Sequence, residues 1–415
     1  MQNLRQRVET ELRSNILPFW LKHAVDEQYG GFRGQIANDL TIDSFANKGL
    51  ILNARILWTF SKAFSVYGED AYLQAARRAF DYLTRHFWDT TFNGVFWMVD
   101  YLGHPVETKK RIYGQAFTVY ALAEYHRVTG DPEALTKAIQ IYEAIESASH
   151  DALHRGYFET YERDWTLANE QRLSEVDMDE KKSMNTHLHL LEAYANLLRC
   201  QDNPAVRRQL KELIQVFLEH IIDRQAHHFG MFFDEEWHSK SDHVSFGHDI
   251  EGSWLLCEAA EILGDEPILQ AVRQEALLMA RAALDQAVDS DGGLLYEGDA
   301  SGIIDTDKHW WPQAEAVVAF LNAYQLSGRE HFQRAAEASW DFIEKHIVDR
   351  QHGEWFWKVS REGIPSQDKF KVDQWKCPYH NSRACFEAMA RLDEIGQHRP
   401  VHGSPVKTGI PAIGE

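Results

Sequence analysis

Apolar residues recur along this chain with a helical period, in two registers that take turns. In the first, seen in Ala79-Phe80-Asp81-Tyr82-Leu83, Ile214-Gln215-Val216-Phe217-Leu218 and Trp340-Asp341-Phe342-Ile343, one stripe is apolar and the rest polar, which predicts a helix with one wet face. The second is richer in apolar residues and alanine on all sides. It covers roughly residues 49–66, 113–128, 185–200, 248–263, 311–327 and 379–394, and predicts helices buried all round. Between the two registers an aspartate (Asp26, Asp89, Asp151, Asp223, Asp289, Asp349) precedes a glycine with aromatic and apolar residues around or after it. The glycines are Gly31, Gly94, Gly156, Gly230, Gly293 and Gly353. Each such segment reads as a turn followed by a short β-stub, and the six copies lie roughly 60 to 75 residues apart.

Two helices per repeat and six repeats predict twelve helices in six hairpins. No long alternating strand and no Pro/Gly/Ser linker divides them. The expected architecture is all-α: a closed (α/α)6 barrel with short β-stubs in its connecting loops, an open helical solenoid being the alternative. The barrel is expected over residues 1–395 and a flexible tail over 396–415, where Gly and Pro occur without periodicity. The interval between the third and fourth glycines is longer than the others. Its excess falls around Tyr161 to Ser183, a polar stretch suited to a lid or a contact with a distal sugar.

With 63 acidic against 43 basic residues, a net charge of −20 makes nucleic acid and anionic membranes poor partners. The N-terminal residues are charged throughout and no apolar run reaches membrane-spanning length, which points to a cytoplasmic protein. Cys200, Cys257, Cys377 and Cys385 lack CxxC spacing and fit reduced thiols.

If the six buried helices run parallel, their N-termini open on one face and ring it with polar residues. These are Asn53 and Arg55; Tyr113 and Gln115; Asn185, His187 and His189; His248, Asp249 and Glu251; Gln313 and Glu315; and His380, Asn381 and Arg383. Below them the helices turn apolar, which predicts a concave site over an apolar floor. With 21 histidines in the chain a single one is more often structural, but His189, His248 and His380 share the N-terminal turn of three different helices. Of His187 and His189, two apart on a helix, at most one points inward. His248-x-x-Glu251 has ligand spacing, yet no second motif accompanies it, so no metal is expected, and Glu251 reads better as the group that orients an imidazole. Trp310, Trp311, Trp375 and Tyr113 at the same mouth suit the stacking of sugar faces. Paired histidines titrate near neutrality and can each take or give a proton, which suits inversion of a centre alpha to a carbonyl. A hydrolase would rely on two carboxylates, for instance Glu251 and Glu315.

Five segments carry a resemblance: Gly49-Leu50-Ile51-Leu52-Asn53-Ala54-Arg55-Ile56-Leu57-Trp58, Ser183-Met184-Asn185-Thr186-His187-Leu188-His189, Ser245-Phe246-Gly247-His248-Asp249-Ile250-Glu251, Asp307-Lys308-His309-Trp310-Trp311-Pro312-Gln313-Ala314-Glu315 and Trp375-Lys376-Cys377-Pro378-Tyr379-His380-Asn381. In them the chain resembles the cellobiose 2-epimerases of the N-acylglucosamine 2-epimerase superfamily, from about residue 5 to 395. The resemblance implies an isomerase with an (α/α)6 barrel that converts the reducing-end glucose of a β-1,4-linked disaccharide to mannose without a cofactor. It further implies that His248 and His380 form the acid/base pair and that His189 serves ring opening. Arg55, Asn185, Glu251 and Tyr113 would be polar contacts around the reacting end, and Trp311 and Trp375 sugar-stacking rings. Within the superfamily the rival activities are N-acylglucosamine 2-epimerase and mannose isomerase; outside it, a glycoside hydrolase on the same barrel or a non-catalytic binding relative.

Overall fold

The structure is a computed structural model that describes residues 1–398. Six helices form an inner layer: α2 (Leu50–Tyr67), α4 (Ile112–Thr129), α6 (Met184–Cys200), α8 (Phe246–Leu263), α10 (Trp310–Ser327) and α12 (Tyr379–His398). These bounds fall within about two residues of the apolar registers, except at the last helix. That helix runs on through Gly396 to His398, past the expected start of the tail; residues 399–415 lie outside the described residues. Six outer helices back the inner ones: α1 (Gln2–Glu11), α3 (Asp70–Tyr82), α5 (Pro132–Ala148), α7 (Pro204–Val216), α9 (Glu266–Gln286) and α11 (Glu330–Phe342). Each inner helix packs on the next and α12 packs on α2, so the layer closes into a ring, with α1 covering α12. This is the (α/α)6 barrel.

The two ends of the barrel differ because their connections differ. Four inner helices end on a glycine in the left-handed region (Gly68, Gly130, Gly264, Gly328; φ 67 to 72°), which caps the last carbonyls and turns the chain straight into the outer helix. Long connections return from the outer helices to the inner N-termini, so every stub collects at one mouth. There the strand before one inner helix pairs antiparallel with the next repeat: Lys48–Gly49 with Met98–Val99, Lys110–Arg111 with Thr160–Tyr161, Lys182–Ser183 with Phe232–Phe233, Val244–Ser245 with Glu297–Asp299, and Lys308–His309 with Lys358–Val359. Phe370–Val372 pairs with Gln35–Ala37 and closes the circle a second time.

The repeat unit differs from the sequence register in two copies. In each turn the aspartate N–H bonds the carbonyl of the residue that follows a left-handed position; those positions are Gly30, Asn93, Arg155, His227, Gly292 and Gly353. The residues that follow are Gly31, Gly94, Gly156, His228, Gly293 and Glu354, so Gly230 and Gly353 are not the equivalents of the other four glycines. His228 and Glu354 instead use their side chains, on Asp249 and on Lys376 and Asn381. Five of the aspartates also hold a buried lysine from the strand that enters or precedes the next inner helix: Lys48 on Asp26 (2.8 Å), Lys110 on Asp89 (3.0 Å), Lys182 on Asp151 (2.8 Å), Lys308 on Asp289 (3.2 Å) and Lys371 on Asp349 (2.6 Å). These charges are taken out of water, so each needs its partner to be tolerated there. In the fourth repeat Val244 stands where the lysine would be, and Asp223 is exposed.

Candidate active site

Two residues apart on a helix means about 200° apart around its axis, so polar residues at that spacing face opposite ways. At the mouth this splits the predicted ring of polar residues into two rows. Gln115, His187, Asp249 and Gln313 point outward and accept the backbone N–H of a stub: Val95 (3.0 Å), Tyr157 (2.9 Å), Phe229 (2.7 Å) and Leu294 (2.7 Å). These are clips that fix the stubs, not site residues. The other row lies two residues further on and comprises Arg55, His189, Glu251, Glu315 and Arg383, all buried beneath the mouth. His189 is thus the inward histidine of the 187/189 pair.

His248 and His380 occupy the same register, one residue before Asp249 and Asn381, whereas His189 lies three residues later in its own helix. The three therefore do not share one turn, as the sequence suggests: His189 sits a turn deeper, on the same side. The indole of Trp311 stands by both upper imidazoles, with ring centres 4.7 Å from His248 and 5.5 Å from His380. His248 pairs through Nδ1 with the Ser245 hydroxyl (2.7 Å), and His380 through Nδ1 with Glu315 (2.7 Å). His189 pairs through Nδ1 with Glu192 (3.2 Å) and lies against Phe117 and Tyr113. Burial pushes His248 down to about 3, and burial together with Arg55 and Arg383 holds His380 well below the ordinary imidazole value. Both rings are neutral at pH 7.

The carboxylates beneath the histidines are distributed differently from the expectation. Glu251, three residues after His248, reaches instead toward His380, at 3.8 Å, and the imidazole partner at hydrogen-bond distance is Glu315. Burial and the neighbouring Glu315 raise Glu251 to about 7. Arg383 bonds Glu192, Glu251 and Glu315. Ligand atoms of Glu251, Glu315 and His380 lie within 4.8 Å of one another, the spacing of a metal set, but the cation that balances these carboxylates is the guanidinium between them. Arg55 donates to the Tyr113 hydroxyl (3.0 Å) and lies over Phe117 and Tyr379.

Asn185 brings a buried side-chain oxygen, without a partner among the described residues, to the wall of a cavity of about 220 Å³. Ser245, His248 and Tyr296 share that wall, and its cover is the long third connection, through Gln171, Leu173, Val176 and Asp177. The same connection flanks an open groove on its other side, where Trp375 stands with Arg111 and Trp97. Trp375 packs on Trp97 and Tyr113 (5.8 and 6.0 Å). Trp310 packs on Trp357 (4.8 Å) and lies edge-on to His380 (6.3 Å). Sequence reasoning missed Ser245, Glu192 and the orienting part of Glu315, since each is recognisable only by the imidazole it reaches.

The model of the N-acylglucosamine 2-epimerase family matches residues 30–384, a span that holds all of these side chains. The chain belongs to that family. Over 387 residues it is 45% identical to the cellobiose 2-epimerase of Bacteroides fragilis, covering 93% of this chain and 98% of that protein. The solved cellobiose 2-epimerase of Bacillus thermoamylovorans superposes with a TM-score of 0.91 at 39% identity, covering 94% of this chain and all of that one. That of Spirochaeta thermophila gives 0.88 at 43% identity, over 95% and 98% of the two chains. A family member with these relatives and this barrel is an enzyme of the isomerase class.

Proposed function

We propose that this protein inverts C2 of the reducing-end glucose of β-1,4-linked disaccharides, cellobiose and lactose among them, by proton transfer between two histidines through an enediolate. The observation that carries this reading is the pair of imidazoles, His248 and His380, in one register beside the Trp311 indole, in a chain 45% identical to a protein named for cellobiose. An aldose must first open. His189, backed by Glu192, serves that step and moves the proton between O1 and O2. A neutral imidazole then removes the C2 proton and the second imidazole returns one to the opposite face. Each histidine is the base for one epimer and the acid for the other, and when His380 is the acid, Glu251, raised to about 7 and 3.8 Å away, supplies the proton it returns. Arg55, buried and cationic, offers charge to the enediolate oxygens. Asn185 and Tyr113 bond hydroxyls of the reacting sugar, and Trp311 and Trp375 stack on the sugar faces. The connection over the cavity, residues 162–181, contacts the distal sugar. Return of the proton to C1 would yield a ketose as a slow side product.

The test is NMR of cellobiose with the enzyme in D2O. Glucosyl-mannose carrying deuterium at C2 is expected, since a histidine-borne proton exchanges with solvent. An epimer with no label would mean hydride return, and the absence of any epimer, with turnover of mannose or N-acetylglucosamine instead, would move the chain to a sister activity.

A further inference from the structure

Beneath the histidines lies a cation that no step above uses. Arg383 is 1% exposed and reaches carboxylates from three helices: Glu192 on α6, Glu251 on α8 and Glu315 on α10. Two of these carry an imidazole in turn. Glu192 holds Nδ1 of His189, and the Glu315 oxygen that Arg383 bonds at 2.7 Å is the one at 2.7 Å from Nδ1 of His380. The guanidinium is itself held in place between the rings of Tyr379 and Trp254, and Trp254 donates to the other Glu315 oxygen. A rigid planar fork of N–H donors holds carboxylates from three helices at fixed angles, whereas an ammonium is a compact point charge on a flexible stem.

We propose that Arg383 is a positioning residue, which by clamping Glu192, Glu251 and Glu315 fixes the orientation and protonation of His189 and His380 together. This rests on the reading of those histidines as the proton-transferring groups. Without the guanidinium the three buried carboxylates lose the one cation that each of them touches, so they take up protons at higher pH. Other charged or titratable groups facing the cluster are Tyr113 and Tyr120 on α4, His248 and Glu258 on α8, Cys377 before α12, and Tyr379 of its own helix. A protonated Glu315 ceases to accept from Nδ1 of His380. The loss of the cation also raises the imidazole's own affinity for a proton. Both effects act in the same direction: the base is lost at a higher pH.

The test compares Arg383→Lys and Arg383→Met with the intact enzyme on cellobiose, with Arg391→Met as the control. Arg391 is a structural arginine two turns along α12 that bonds Asn322 and Gln325. For Arg383→Lys, kcat is expected to fall about 10–100-fold, as when an outer partner of a reacting group is removed, with KM nearly unchanged. The acid limb of the kcat profile should move up by about one pH unit. In the substrate-free enzyme labelled with 15N-histidine, the His380 ring signals, identified by their loss in His380→Asn, should shift in both Arg383 variants. In Arg391→Met neither the acid limb nor those signals should move. The proposal is overturned if a folded Arg383→Lys keeps the wild-type acid limb, or if the His380 signals stay in place. The signals need no turnover, so they decide this point even if the intact enzyme fails to epimerise cellobiose, an outcome that would instead overturn the proposed function.

Discussion

His248 and His380 are the same residue in the same register of two helices, yet what stands behind them differs. Nδ1 of His380 faces a carboxylate that Arg383 also holds, whereas Nδ1 of His248 faces only the Ser245 hydroxyl, which can donate or accept. A carboxylate fixes one tautomer and favours an imidazolium; a hydroxyl merely steers the ring. Removing the hydroxyl should therefore be mild. Ser245→Ala is expected to lower kcat on cellobiose by about 5–10-fold, the value of one neutral hydrogen bond, with KM little changed in steady-state kinetics. A loss beyond about a thousandfold, the scale of a proton-transferring group, would mean that the hydroxyl itself carries a proton in the cycle.

At the scale of the helix, one position is filled four times by a side chain that does the same work: Gln115, His187, Asp249 and Gln313 each accept a stub N–H. Since glutamine already serves in two repeats, His187→Gln should keep the fold and the turnover, while His189→Gln, two residues away and facing inward, should abolish turnover. The same exchange has a consequence for pH. Burial pushes His187 down to about 3, below the 6.5 of an unfolded histidine, so between those values the unfolded chain binds the proton first. The stability held above pH 6.5 is lost as the pH falls toward 3, by about 2 kcal/mol at pH 5 from this one group. Thermal melts from pH 7 to pH 5 should then fall less steeply for His187→Gln than for the wild type; equal slopes would contradict this account of His187. Much of this level was legible in the sequence. A helix buried on all sides must be apolar on all sides, which marks the six inner helices with little error. The lysine partners of Asp26, Asp89 and Asp151 were not legible, because each lies some twenty to thirty residues away and meets its aspartate only when the stub has folded.

Across the whole molecule, the ring decides which carboxylate meets which imidazole. Glu251 follows His248 by three residues, and local spacing alone would pair them, but curvature of the inner layer brings Glu251 toward His380 of α12 and leaves the direct bond to Glu315 of α10. Contacts between residues 65 and 132 positions apart carry no local signature, so the place of His248 and His380 at the head of their helices was legible while the carboxylates around them were not. The same closure gathers the long connections at one mouth, where the extra residues of the third repeat cover the cavity beside His248. At the other end four inner helices turn into their outer helices on a capping glycine, and the described residues carry no long connection there.

The central claim is that His248 and His380 act on opposite faces of C2, and single replacements test it most directly. His248→Ala and His380→Ala should each lose at least about 10²-fold in epimerisation, the usual value of a positioned acid or base, while still binding sugar through Trp311, Trp375 and Arg55. In D2O each variant should still exchange the C2 hydrogen of the one epimer that faces its remaining histidine, without inverting it, and the two variants should act on opposite epimers. Equal exchange of the same epimer by both, or near wild-type inversion by either, would contradict the two-histidine account and transfer the base to His189.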